Sequence, residues 1–470
     1  MNRAQRGLTI SLAILFGALS ACGGVGSGGV TPASTSNAVV SSGAITGFGS
    51  VHVNGEHFLT NGTAFHINGE NGTQNDLRVG EFVRVHGHRD SAGNSIADRI
   101  DCDNAVLGPV ASIDATAITF VVLGQTVIVD ADTSFDDNVP GAAFAGLAVG
   151  NIVEVSGTRR ADGAIQATRI EMKPAATVFE VTGVASLVDT ATHRFNINTL
   201  VVDYTSASVD NFTGGQPKNG DVIEAKGTVT AGVLMATRIE RHRAEDDAPR
   251  AGDRGELEGL VTRFVSATDF DVNGKPVTTN ASTVYEGGVV TDLALNVKVE
   301  VEGTADANGV VVATKVQFKR QGSARIAARV DSVNVAANTL VVLGIDITVN
   351  ASTRVEDKGD QRVSMFNLSN LAAGDWVEVR GAELPAGSND VVATRLERRK
   401  TSNDVRLRGI VDSVTGTTLS ILGVTVETSS STHFGANAAL DTLVGKTVSV
   451  KGTVTNGVLM VSEVQFGDHD

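Results

Sequence analysis

The sequence predicts an all-β chain: six tandem, small, OB-like five-stranded β-barrel repeats that follow an N-terminal signal segment and a flexible tether. Three observations predict it. The segment 151–170, NIVEVSGTRRADGAIQATRI, returns with the same grammar five more times along the chain. In each return apolar and polar residues alternate with period two, as a half-buried strand requires. Composition agrees, because 52 glycines and only 4% aromatics favour short strands and tight turns over long helices.

In chain order, Arg3 and Arg6 give a positive start and residues 8–19 an apolar run, the pattern of an export signal and shorter than a membrane span needs. The run ends in Leu19-Ser20-Ala21-Cys22, which resembles the lipobox of bacterial lipoproteins. The resemblance implies that residues 1–21 are removed and that Cys22 is the lipid attachment site, acylated on its thiol and on its new amino terminus. Two or more chains are what stable anchoring requires. Gly23 rather than Asp follows the Cys, which by the same resemblance implies the outer membrane. The expected location is the bacterial cell envelope, with the membrane as partner through the N-terminal lipid. Residues 22–42 read as a Gly- and Ser-rich flexible tether. With Cys22 acylated, Cys102 is the only other thiol, so no intramolecular disulfide forms. Asp101 and Asp103 flank it and should raise its pKa, making it a bystander.

The repeats follow. Their strand cores end at Gly87, Gly157, Gly227, Gly303, Gly381 and Gly452, spaced 70, 70, 76, 78 and 71 residues apart. Each is followed by a partner strand, typified by Ala167-Thr168-Arg169-Ile170 and Ala393-Thr394-Arg395-Leu396. Alternation points Val153, Val155 and Ile170 inward and Glu154, Ser156 and Arg169 toward solvent. Asp162-Gly163 and Asn308-Gly309 suit tight hairpin turns in which both central residues take positive φ. The third and sixth copies are one residue shorter there and should need a three-residue turn or a bulge. Folding places Glu302 opposite Lys315 and Lys451 opposite Glu463, pairs that report a solvated face. Upstream strand signals bring the count to about five in ~70 residues, which suits a small closed barrel. Stacked open antiparallel meanders are the alternative.

An opening G-x-V strand, an F/L-x-V-x-G hairpin, Leu-x-x-G-x-x-V-E-V-x-G and a closing A-T-R-I together resemble the bacterial domain of unknown function 5666, found in repeated copies in exported proteins and lipoproteins. The resemblance covers nearly everything from Ala44 to Phe466 and implies no particular activity. The repeats are placed at 44–103, 105–173, 178–241, 255–319, 324–399 and 405–467. A charged linker, 242–254, is expected to hinge three copies against three.

Candidate chemistry is sparse. His86 and His88 share a strand face and could present two imidazoles to a metal, but Arg84 shares that face and opposes a cation. Asp130, Asp132, Asp136 and Asp137 form an acidic loop that could offer oxygen ligands to Ca²⁺, without the spacing of an EF-hand. Trp376 stands where other copies carry Phe82, Ile152, Val222, Lys298 and Thr447. A position that accepts Lys and Thr is expected to be partly exposed, where an indole stacks on a sugar or covers the seam between barrels. No nucleophile elbow, phosphate loop or zinc-protease motif occurs. A net charge of −15 disfavours nucleic acid as partner. The expected function is therefore a non-enzymatic, lipid-anchored scaffold or interaction module without a cofactor. The alternative is an envelope protein binding glycan or divalent metal, Ca or Zn.

Overall fold

The computed structural model describes residues 37–242, 248–319, 322–435 and 440–466. Its regular structure is strand, with short 3-10 turns between. In the second repeat, strands Val106–Asp114, Thr119–Val122, Gln125–Ile128, Ile152–Arg159 and Ile165–Met172 form a closed ring. The first pairs with the second, the second with the third, the third with the fifth, the fifth with the fourth and the fourth with the first. Only the third-to-fifth step is parallel, Val127 beside Ile165. All six repeats close in this order, so the OB-like barrel holds and the open meander does not. Closure removes the edges an open sheet would expose. Val153, Val155 and Ile170 are fully buried inside, as their alternation requires.

The motif glycines answer to two close approaches. At Gly157 the ladder to the fifth strand slips by one residue, and an added Cβ would lie 2.3 Å from the Gln166 carbonyl oxygen. The same slip and the same crowding recur at all six copies. The extra residue of the bulge is the Thr of A-T-R-I, and Thr168 and Thr314 turn their hydroxyls back to the carbonyls of Ser156 and Glu302, at 3.2 and 3.0 Å. The bulge is thus a property of every copy, not of the shorter ones. The opening-strand glycine has a different cause. A Cβ at Gly108 would sit 2.6 Å from Leu123, the left-handed residue of the second hairpin's tip, which folds back over it.

The closing turns are the reverse of what length suggested. In the second and fourth copies only Gly163 and Gly309 have positive φ, and Asp306 closes the fourth turn by accepting from the amides of Asn308 and Val310. In the shorter third and sixth copies both central residues, Ala231-Gly232 and Asn456-Gly457, take positive φ. Those two are the two-residue turns whose twist matches the strands.

Pairing between barrels does not follow chain order. The opening strands of repeats 2 and 3 pair antiparallel, Val181 against Val106, and those of repeats 5 and 6 likewise, Ile326 against Leu407. Repeat 1 pairs instead with repeat 4, its first strand running parallel to residues 254–257. Two expectations are corrected by this seam. Residues 38–42 are not tether, since Ala38–Phe48 is one strand whose Val39, Val40 and Ser41 are buried. Nor does the 242–254 segment hinge two halves, because repeat 4 is sewn to repeat 1 and the described residues form one compact unit. Among the described residues no helix is long and apolar enough to cross a membrane.

Candidate functional site on the outer charged faces

Each closing hairpin carries charged residues on the side facing away from its own barrel, as Glu154 and Arg169, Glu302 and Lys315, and Glu378 and Arg395 do. In repeat 5 they form rows. Arg354, Arg395, Arg380, Arg325 and Arg408 are successive cross-strand neighbours. Two residues along, on the same face, stand Glu356, Glu397 and Glu378. Like charges directly opposite one another destabilise a sheet, so the glutamate row is what allows the arginine row to exist. Glu378 lies 3.1 Å from Arg325, 3.3 Å from Arg380 and 3.4 Å from Arg399, and Glu397 lies 2.9 Å from Arg399 and 3.0 Å from Lys358. Burial opposes the ionisation of Glu378, but the four arginines around it reverse that and hold its carboxyl well below the usual range.

This face is not solvated. Arg395 and Glu397 are 5% and 1% exposed, and the cover is the acidic loop of repeat 2. Arg354 donates to the Asp132 carbonyl at 2.7 Å, Arg395 to the Thr133 carbonyl at 2.8 Å and Lys358 to the Phe135 carbonyl at 2.8 Å. Thr394 donates to the Asp132 carboxylate at 3.0 Å, and Arg362 pairs with Asp137. Repeat 2's own face is covered in the same way. Arg169, 1% exposed, bonds Glu171, Asp136 and the Val79 carbonyl of repeat 1. Ser156 accepts from the Phe82 amide at 2.8 Å. Where Glu154, Ser156 and Arg169 were expected to meet water, Arg169 and Ser156 are buried against neighbouring barrels and Glu154 is held by Lys173 at 3.1 Å. The Glu302–Lys315 pair forms as registered, while Lys451, although in register with Glu463, reaches Asp404 at 2.8 Å.

The residues singled out for metal or ligand binding are dispersed into these contacts. Asp130 closes its own turn by accepting from the Asp132 and Thr133 amides, and takes a further bond from Gln166. Asp132 and Asp136 are bound to Thr394 and Arg169. His88 lies 3.0 Å from Asp98, and His86 sits one strand away from Arg99 in register. Among the described residues no group of three or more His, Cys, Asp or Glu is gathered to hold a metal. Trp376 is not partly exposed: it is 6% exposed, packed into the shared core of repeats 5 and 6 with Arg329 over its ring at 5.9 Å. Cys102 is buried, and burial foremost, then Glu81 and Asp103, pushes its thiol up. Cys22 and the signal segment lie outside the described residues.

Two further features were not anticipated. A cleft of about 380 Å³ opens where repeats 1, 2, 4 and 5 meet. Its cations are already engaged, Lys298 with Glu258 at 2.8 Å and Lys319 with Glu300 at 2.6 Å, which makes it a packing seam. Burial opposes ionisation of Glu258, yet Lys298, Lys319 and Arg354 hold its carboxyl down at about 2. Glu81 and Glu256 go the other way, raised to about 7 by burial that their partners only partly offset. The signal that could have exposed the buried faces is the run Arg395-Leu396-Glu397-Arg398-Arg399 after Glu378-Val379-Arg380, which puts charges at successive outward positions of two adjacent strands.

A search of curated proteins returns no match to the chain. The family described as a domain of unknown function, DUF5666, matches residues 38–101, 108–171, 175–240, 258–317, 328–397 and 408–465. Each match spans one barrel, and together they cover most of the sequence, so the chain belongs to the DUF5666 family and carries it in six tandem copies.

Proposed function

We propose that this protein is a non-enzymatic scaffold or interaction module of the bacterial cell envelope, held by lipid at Cys22 and sorted to the outer membrane. One observation carries the reading. In repeats 2 and 5 the charged side chains of the outer faces are spent on binding barrel to barrel, as Arg169 does to repeat 1 and Arg354, Lys358 and Arg395 do to the loop of repeat 2. Such contacts build a large rigid surface and leave function to what that surface meets. The candidate acids and Trp376 are likewise committed to internal contacts, which favours this reading over one of metal or glycan binding.

Metabolic labelling with a fatty acid tests the anchor: the native chain is expected to carry label and sediment with membranes, and Cys22→Ser to lose both. Affinity capture from crosslinked envelope extracts tests the role, with a reproducible envelope protein as the expected result. Against the reading would stand a rise in melting temperature with Ca²⁺ or Zn²⁺, since only a ligand of the folded state produces one.

A further inference from the structure

We infer that the free edge of the strand Val284–Glu286 in repeat 4 is a docking site, where an extended segment of a partner protein adds a β-strand. The inference rests on the interaction-module reading and names the shape and chemistry of what the module holds. In every barrel a short strand runs parallel to the fifth strand beyond the end of the third, and in repeat 4 it is Val284–Glu286 beside Lys315–Gln317. Among the described residues no other strand pairs with it. The corresponding strands of three other barrels are covered. In repeat 1, Ala64–Ile67 receives the antiparallel residues Glu70–Gly72 on its far edge. In repeat 2, Phe135 turns its carbonyl to Lys358 of repeat 5 at 2.8 Å. In repeat 5 the cover is the first strand of repeat 1, where a Cβ at Gly47 would lie 3.2 Å from Val355.

Composition sets the edge of repeat 4 apart. At the position of Val284, taken from the register against the fifth strand, the other copies carry Ala64, Ser134, Ser208, Arg354 and His433. Val284 is 55% exposed, Glu286 is exposed, and Val289 and Val290 are exposed just past the Gly287-Gly288 pair. Edge strands are ordinarily blunted by charge, Pro or a cover, because their outward N–H and C=O groups are a template for pairing. Here a β-branched apolar residue stands on that template. Repeat 1 shows what seats at such an edge, a run of three antiparallel residues. Three residues make about 10 Å of edge, too little to bury the roughly 1,200 Å² at which specific contacts between folded proteins begin. The occupant is therefore an extended, peptide-like segment and not a second copy of the chain. Its backbone supplies the hydrogen bonds, a Val on it meets Val284, and a Lys two residues earlier meets Glu286.

The probe is a fluorescently labelled peptide, Val-Thr-Lys-Thr-Val-Thr-Val, titrated into the full chain and followed by anisotropy and by amide hydrogen exchange. Saturable binding is expected, with exchange slowed in residues 283–287 and unchanged at the matching strand of repeat 3, Ser208–Asp210. Val284→Lys should weaken binding about fivefold. Ser208→Lys, at the matching edge, is expected to bind as the native chain does, and an unchanged melting curve certifies that each variant is folded. Any of three results would overturn the inference. They are absence of saturable binding, equal binding by a peptide with every Thr changed to Pro, which removes amide donors that a ladder needs, and sedimentation of the chain as a dimer that Val284→Lys breaks, which would assign the edge to a second copy. Failure here leaves the envelope capture experiment standing on its own, whereas failure of that capture with peptide binding intact would confine the loss to the broader reading.

Discussion

Repeats 5 and 6 have the same barrel and share a core and a seam, yet their outer faces carry different residues. On repeat 5, rows of arginine and glutamate lie buried beneath the acidic loop of repeat 2. On repeat 6, Ser449 and Gln465 replace the glutamates, Arg406 is exposed and Lys451 is half-buried. The inner residues are nearly interchangeable: Val377 and Val379 match Val448 and Val450, all with 2% exposure or less. What differs is therefore imposed from outside the barrel. The fold is specified by the inward residues and the assembly by the outward ones, and the two sets vary independently.

The largest effect that separates the two faces should come from the glutamate row. Glu378→Ala is expected to cost about 3–5 kcal/mol, because it strands buried arginines without their counter-charge, while Ser449→Ala at the matching place should change stability by less than about 0.5 kcal/mol. Chemical denaturation of both variants checks this. The bulge glycine should erase the contrast. A Cβ at Gly381 would meet the Val392 carbonyl at 2.3 Å and one at Gly452 the Met460 carbonyl at 2.1 Å. Both Gly→Ala changes should therefore cost about 1–3 kcal/mol, in repeat 5 and repeat 6 alike.

Acid should sharpen the contrast again. Glu378 and Glu258 have folded pKa values below the ordinary carboxylate value of 4.5, so they contribute stability that is present above it and lost as pH falls through their folded values. Hydrogen exchange below pH 4.5 should therefore quicken first in residues 131–135 and 391–398, and later in 447–466. On the other side, Glu81 and Glu256 titrate near 7 in the fold against 4.5 unfolded, so stability falls as pH rises between those values. Glu81→Gln should flatten that slope by about 1.4 kcal/mol per pH unit at most. The smallest effect belongs to repeat 6. Asp404→Asn, which removes the exposed partner of Lys451, should leave the denaturation midpoint nearly where it is, because water screens the pair.

The barrel was legible in the residues because period-two alternation reports which side of a strand faces its own sheet's core. Val153, Val155 and Ile170 obeyed it. Alternation says nothing about what covers the other side, and so Arg169 read as solvated when it is among the largest fully buried side chains. The turn types were inverted for a related reason. A Gly after Asp or Asn marks a turn, but the number of residues between the paired positions, five from Arg159 to Ile165 and two from Thr230 to Val233, decides which residues take positive φ. The seam between repeats 1 and 4 was hidden because its strand, beginning at Ala38, lies in a Ser-rich stretch and pairs with a segment more than 200 residues away. The acidic loop read as a cation site because carboxylates attract metal ions and arginines alike, and only the fold brings Arg354 and Arg395 to it.

The central claim is that outward charges and crossed seams bind the six barrels into one body. A protease site placed in the 243–247 segment, followed by cleavage and size-exclusion chromatography in native buffer, tests it most directly. The two halves should stay together, held by the pairing of repeat 1 with repeat 4 and of repeat 2 with repeat 5, and part only in denaturant or when Glu378→Ala is combined with high salt. Halves that separate at once in native buffer, each folded, would contradict the account.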